Sequence, residues 1–80
     1  MRYYFWDFFG DAADATARHF ERHLAARLGE LGIEHDAVGV RSEGEGHAAA
    51  FCRVPQASFL AVERSFRPKR ALGADEVDAR

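Results

Sequence analysis

Histidine side chains offer this 80-residue chain its most direct route to chemistry. His19 and His23 stand four residues apart, so on a helix they would share one face and could ligate the same metal ion. A third ligand would have to be His47, which lies far along the chain. The more ordinary role of His23 is to pack its ring at the edge of the core. The three histidines therefore define one alternative function, a metal-binding or small-ligand-binding domain.

The other candidates for catalysis are weaker. Cys52 is the single cysteine, which excludes an intramolecular disulfide, and its simplest role is that of a small buried hydrophobic residue. A nucleophilic pair of Cys52 with His47 would lack an identifiable oxyanion donor and an orienting acid. The chain also has no phosphate loop, no Rossmann glycine pattern and no carboxylates placed for acid–base catalysis. The sequence therefore predicts a protein that is not an enzyme and has no cofactor.

The first nine residues, MRYYFWDFF, predict an aromatic β-strand that is ended by Gly10. Side chains alternate across a strand, which places Tyr4, Trp6 and Phe8 on one face. The opposite face carries Tyr3, Phe5, Asp7 and Phe9. Burying Asp7 beneath helices would be costly unless it were paired, so its face is predicted to be the open one. Arg53 is the candidate partner for this carboxylate.

The remaining elements follow from periodicity and turn residues. An apolar stripe at three- and four-residue spacing predicts a helix over about residues 12–30. Two further strands are predicted on either side of a glycine-rich hairpin loop, and Pro55 and Pro68 bound a second helix. The predicted strands and loop are Glu34–Arg41, Ser42–Gly46 and His47–Val54.

This order, β-α-β-β-α, resembles the ferredoxin-like plait β-α-β-β-α-β with its last strand missing. The resemblance covers residues 2–67 and rests on element order alone. It implies an α+β fold with a three-stranded antiparallel sheet of order 1-3-2, and with both helices on one face. The first strand would then keep one unpaired edge. Residues 1–68 are predicted to form one domain, and residues 69–80 a basic-then-acidic tail that is disordered.

An uncovered aromatic face predicts a partner. It would be larger than the apolar surface that monomers usually leave in water, and two-fold dimers are the commonest oligomers. We therefore predict a non-catalytic interaction or regulatory module that forms a homodimer, either by stacking two open faces or by pairing two first strands. The alternative is a monomer whose own side chains and tail cover the face. The predicted interface residues are Tyr3, Phe5, Asp7, Phe9, Phe51 and Arg53.

A second function could use the same aromatics. RNA-recognition modules stack bases on the open sheet of a plait, and residues 53–70 are rich in basic side chains. The third strand offers only Phe51 for stacking, and the formal net charge of −2 does not favour a general nucleic-acid binder. A weak single-stranded RNA or DNA binder is therefore the alternative. Besides Arg53, its candidate contacts are Arg64, Arg67, Lys69 and Arg70.

Composition sets the expected compartment. The chain lacks the charged and apolar regions of a signal peptide, and no run approaches the roughly 20 apolar residues of a membrane span. We therefore expect a cytoplasmic protein with no membrane association. Arginine is abundant while lysine occurs once, at Lys69, a bias typical of bacterial genes of high GC content.

Overall fold

An open antiparallel sheet organises the computed structural model, which describes residues 1–78. Its strands have the spatial order β2-β3-β1-β4. They are β1 (Arg2–Phe9), β2 (Ala37–Gly44), β3 (His47–Val54) and β4 (Arg70–Gly73). The helices are α1 (Ala13–Glu30), α2 (Phe59–Phe66) and α3 (Ala74–Asp78), and a 3₁₀ turn at Gln56–Ser58 precedes α2. The predicted α+β class is confirmed.

Strand β4 corrects the predicted topology. Arg70–Gly73 pairs antiparallel with Arg2–Phe5, so the prediction of a three-stranded sheet that lacks its last strand was wrong. The predicted order 1-3-2 is correct for the first three strands, because β3 lies between β1 and β2. The sheet therefore extends beyond the predicted domain end at residue 68.

The predicted disordered tail is also replaced by structure over residues 70–78, which form β4 and α3. The segment has little apolar periodicity, and its order comes from hydrogen bonds to a distant strand. The Lys69 amide donates to the Phe5 carbonyl at 2.9 Å, and the Ala74 amide donates to the Met1 carbonyl at 3.1 Å. Residues 79 and 80 of the predicted tail lie outside the described residues.

The core lies between the sheet and helices α1 and α2. It confirms the alternation predicted for β1, because Tyr4 and Trp6 are buried there and Phe8 packs against them. The Trp6 indole donates to the Phe66 carbonyl at 2.8 Å, which satisfies its N–H. The other buried members are Leu24, Leu28, Cys52, Val54 and Val62.

Small residues let α1 approach the sheet closely. Ala13 and Ala17 of α1 and Ala48 of β3 form a buried cluster beside the main core. This contact shows that the side of β3 that carries Ala48 faces α1. Within residues 1–78, none of the helices combines the length and the hydropathy that a membrane crossing requires.

Candidate functional site: the outer face of the sheet

The face of the sheet opposite α1 and α2, here called the outer face, holds the residues singled out from the sequence. Strand register fixes its membership, because residues directly opposite each other on antiparallel strands share a face. Tyr3 lies opposite Arg53, and Phe5 lies opposite Phe51. Asp7 lies two residues further along β1, and Phe9 lies opposite His47. The structure thus brings all six predicted interface residues to one face: Tyr3, Phe5, Asp7, Phe9, Phe51 and Arg53.

Phe5 is the centre of an aromatic cluster on the outer face, yet it is only 1% exposed. Its ring centroid lies 6.1 Å from that of Tyr3 and 6.2 Å from that of Phe51. The guanidinium carbon of Arg70 lies 4.6 Å from the Phe5 centroid and covers the ring from β4. The outer face therefore encloses Phe5 with its own side chains, and the expectation that Phe5 is exposed was wrong.

The tip of the Phe51 ring lies against the neighbouring strand at a position where that strand has a glycine. Gly39 is directly opposite Phe51 in the β2–β3 register. A Cβ atom at Gly39 would come within 2.9 Å of the Phe51 Cζ, which is closer than side chains tolerate. The absence of a side chain at residue 39 therefore sets the position of the Phe51 ring.

Asp7 is the hub of a charged cluster next to these aromatics, and its side chain is only 10% exposed. The Arg70 Nε donates to Oδ2 at 2.9 Å and the Nη2 donates to Oδ1 at 2.8 Å, a bidentate pair. The His47 Nε2 lies 2.8 Å from the same Oδ1. Burial acts to raise the pKa of Asp7, but the bonds from Arg70 and His47 outweigh it and hold the pKa below its ordinary value.

The predicted partner of Asp7 was wrong. Arg53 forms an ion pair with Asp36 at the other end of the face, and Arg70 occupies the position expected for it. Arg70 had been singled out only as a nucleic-acid contact. Because β4 was not recognised in the sequence, nothing indicated that the side chain of Arg70 would face Asp7.

Glu43 and Arg41 extend the cluster along β2, and sequence reasoning missed both. The Glu43 Oε1 lies 3.2 Å from the Arg41 Nε and 3.8 Å from the Arg70 Nη2. The charged cluster is thus Asp7, Arg41, Glu43, His47 and Arg70, with two carboxylates and two guanidinium groups. It therefore has no net formal charge when its histidine is neutral.

Phe9 is the most exposed large hydrophobic residue on the outer face. Its ring stacks on that of His47, with 4.4 Å between centroids, and 73% of the residue remains accessible to solvent. Aromatic side chains are enriched at protein–protein interfaces, where they are buried against the partner. Phe9 therefore marks the end of the outer face beside the charged cluster.

The predicted nucleic-acid contacts are divided between two surfaces. Arg64 and Arg67 lie on α2 and just after it, and Lys69 follows in the loop to β4; all three are exposed. Arg67 and Lys69 line a cleft of about 340 Å³ that also includes Tyr4 and Glu63. The stacking aromatics lie on the outer face, where the arginines are paired with carboxylates. Among residues 1–78, Arg53 and Arg70 are the arginines beside those aromatic rings, and both are paired with aspartates.

The three candidate metal ligands are not brought together either. The His19 and His23 rings touch on the exposed side of α1, with 4.6 Å between centroids, whereas His47 bonds to Asp7 on the outer face. Among the residues that the structure describes, no three His, Cys, Asp or Glu side chains are grouped to hold a metal ion. Cys52 is buried in the core, and burial raises the pKa of its thiol to about 12.

No protein-family model, curated protein or solved structure matches this chain. The fold defines the class directly: an α+β protein with an open four-stranded antiparallel sheet and three helices in the part described. A fold of this class does not specify a function by itself, and the outer face holds the candidate site.

Proposed function

We propose that this protein is a non-catalytic interaction module that forms a homodimer by stacking two outer faces. The observation that supports this most is a set of half-buried apolar residues that adjoin one another on the outer face. Tyr3 lies opposite Leu72 of β4, and its ring centroid is 5.8 Å from that of Phe51. Helices α1 and α2 cover the other face of the sheet, so a second copy would give these residues the burial that the chain lacks.

The dimensions of the molecule suit this contact. The described part of the chain measures 35 × 30 × 17 Å, so its two long dimensions define a broad, flat surface. A standard protein–protein interface buries about 800 Å² on each partner, which a surface of this size can supply. Two stacked sheets also pack with interdigitating side chains, as in β-sandwiches.

The charges suggest the orientation of the two copies. Tyr3, Phe51 and Leu72 occupy one end of the outer face beside the Arg53–Asp36 ion pair, and the charged cluster occupies the other end. A two-fold axis parallel to the strands would lay the apolar ends on each other and the charged clusters on each other. Each cluster has no net formal charge when His47 is neutral. Stacking one cluster on the other would therefore not bring together two surfaces with a large net charge of the same sign.

Pairing along the edge of β1 is the less favoured form of the dimer. Strand β4 occupies that edge from Arg2 to Phe5, and only Trp6–Phe9 have β3 as their single partner strand. Half of the edge is therefore already hydrogen-bonded within the chain. This leaves the outer face as the larger surface for self-association.

One observation favours the dimer over the nucleic-acid alternative. Arg53 and Arg70, the basic residues beside the aromatics, form ion pairs with Asp36 and Asp7. A nucleic acid would have to displace those carboxylates before it reached the guanidinium groups, and this lowers the gain from phosphate binding. Self-association through apolar contacts needs no such exchange.

We further propose that the fold is the ferredoxin-like plait in its complete form. The strand order β4-β1-β3-β2, antiparallel pairing and two helices on one face support this arrangement. The bacterial origin, the cytoplasmic location and the lack of enzymatic activity stay predictions from the sequence.

Sedimentation equilibrium tests the dimer. The mass of the chain is 9.0 kDa, and we expect twice this value for the wild-type protein. Leu72→Glu would place a charge on the outer face, and we expect it to restore the mass of one chain. Leu60→Glu is the matched control, because Leu60 is 56% exposed on α2, away from this face, and its substitution leaves the dimer intact. A wild-type monomer at high concentration, or a monomer in both variants, would overturn the proposal.

A further inference from the structure

The rings of His19 and His23 contact each other on the solvent side of α1. Both residues are exposed, and their ring centroids lie 4.6 Å apart at an interplanar angle of 69°. Residues four apart on a helix are separated by about 6 Å along its axis, which lets two imidazole rings bind the same ion. Histidine nitrogen binds Zn²⁺ at about 2.0–2.1 Å, and rotation of the two exposed side chains would direct one nitrogen of each ring toward a shared ion.

One chain supplies only half of such a site. Zinc in structural sites is four-coordinate and tetrahedral. In residues 1–78 no third His, Cys, Asp or Glu joins the pair to form a metal-binding group. We propose that two copies of this chain bind one Zn²⁺ between their α1 helices, each copy donating His19 and His23. The site is incomplete without the second copy, so the metal would act as a bridge.

The neighbouring side chains on α1 leave space for this bridge. Ala15 lies one turn before His19, and Ala26 lies about one turn after His23, on the same side of the helix. Both alanines are exposed, and neither projects beyond its Cβ. These two alanines leave room for a second pair of histidine rings, and the long side chains that flank the pair are Arg22 and Arg27.

Charge around the pair is largely compensated. Arg18 forms a salt bridge with Asp14, with 3.0 Å between Nε and Oδ2. Arg27 forms a salt bridge with Glu30, with 2.7 Å between Nη1 and Oε2. Arg22 flanks the pair, but it is exposed and has a long flexible stem that can extend into solvent. The histidines thus face no block of unneutralised cations that would repel Zn²⁺ strongly.

This bridge differs from the proposed dimer contact. Helix α1 packs on the core face of the sheet, and its histidines point away from that core, whereas the stacking contact uses the outer face. Each interface can form without the other. Zinc binding therefore goes beyond the proposed function and can be tested independently of it.

The test is a zinc titration of protein freed of metal by a chelator, followed by sedimentation. In the monomeric variant Leu72→Glu we expect Zn²⁺ to double the mass of one chain, with saturation at one zinc ion per two chains; in the wild-type protein zinc should link outer-face dimers into larger assemblies. His19→Ala and His23→Ala, each combined with Leu72→Glu, should abolish the doubling. His35→Ala is the matched control, because His35 is also exposed but bonds to the Ile33 carbonyl. It should leave the zinc response unchanged.

Cobalt provides a second readout. Co²⁺ in a tetrahedral site of four imidazoles absorbs visible light far more strongly than octahedral Co²⁺, and we expect this strong absorption. A mass that does not change with zinc, a doubling that persists in both alanine variants, or a weak octahedral cobalt spectrum would overturn the bridge. The Leu72→Glu background separates the two interfaces, because that substitution alters only the outer face.

Discussion

Arg70 binds Asp7 through two parallel hydrogen bonds, at 2.9 and 2.8 Å, across 63 residues of chain. The same guanidinium covers the Phe5 ring, so one side chain from β4 neutralises a nearly buried carboxylate and shields an aromatic residue. This contact fixes a four-residue strand to the outer face. It also explains how an acidic residue is tolerated among the aromatics of β1.

Removal of the Arg70 side chain should destabilise the fold. Arg70→Ala would leave Asp7 with His47 as its remaining partner and would expose Phe5. Hydrogen bonds to charged groups contribute about 1.5–3 kcal/mol, and Arg70 is partly exposed, so we expect a loss of about 2 kcal/mol. Urea unfolding measures this loss. Arg64→Ala is the control, since Arg64 is exposed on α2, and a loss of equal size there would contradict the assignment.

Acid should weaken the same contact. The pKa of Asp7 in the folded state lies below its ordinary value of 3.8, so the carboxylate binds protons less readily when the chain is folded. Its contribution to stability is therefore complete above that ordinary pKa and is lost as the pH falls through the lower, folded value. We expect the urea midpoint to decrease between about pH 5 and pH 2. The decrease should be smaller in Asp7→Asn, and an unchanged slope would count against this role.

Cys52 should be unreactive in the folded protein. The thiol is buried in the core, and burial raises its pKa to about 12, so the nucleophilic thiolate is scarce at neutral pH. We expect a thiol reagent such as dithionitrobenzoate to label Cys52 only when denaturant unfolds the chain. Cys52→Ser with Leu60→Cys is the control, because its exposed thiol should react at once. Rapid labelling of the native wild-type protein would show that the core opens readily.

The sequence predicts the two faces of β1 correctly because alternation is a local property. Asp7 among aromatic residues was enough to separate the outer face from the core that holds Tyr4 and Trp6. The burial of Phe5 was not predictable in this way, because it depends on Arg70 from a strand with almost no pattern of its own. The charged cluster was missed for the same reason, since its members come from all four strands.

The histidines also show that local spacing is predictable from the sequence, whereas contacts between distant elements are not. His19 and His23 were predicted to share a helix face from their spacing alone, and their rings do touch. His47 could not be placed relative to them without the sheet topology. The structure puts it beside Phe9 and Asp7, on the far side of the sheet from α1. Local spacing therefore identified the pair, whereas long-range packing places His47 away from it, beside Asp7.

Gly39→Ala should destabilise the outer face. The new Cβ would lie 2.9 Å from the Phe51 Cζ, so the ring would have to move away from β2 and release part of its cover over Phe5. Overpacking of this kind costs about 1–3 kcal/mol, and a half-buried ring can relax, which favours the lower end of that range. Urea unfolding of the variant measures the cost.

Gly29→Ala gives a control of opposite sign for the change at Gly39. Gly29 lies within α1, and a Cβ added there meets no atom within 4 Å. Alanine stabilises a helix by about 0.5–1 kcal/mol relative to glycine, so the urea midpoint should rise. If both substitutions shift the midpoint in the same direction, the close approach of Phe51 to Gly39 does not hold the ring in place. Opposite shifts would identify that approach as the reason for glycine at position 39.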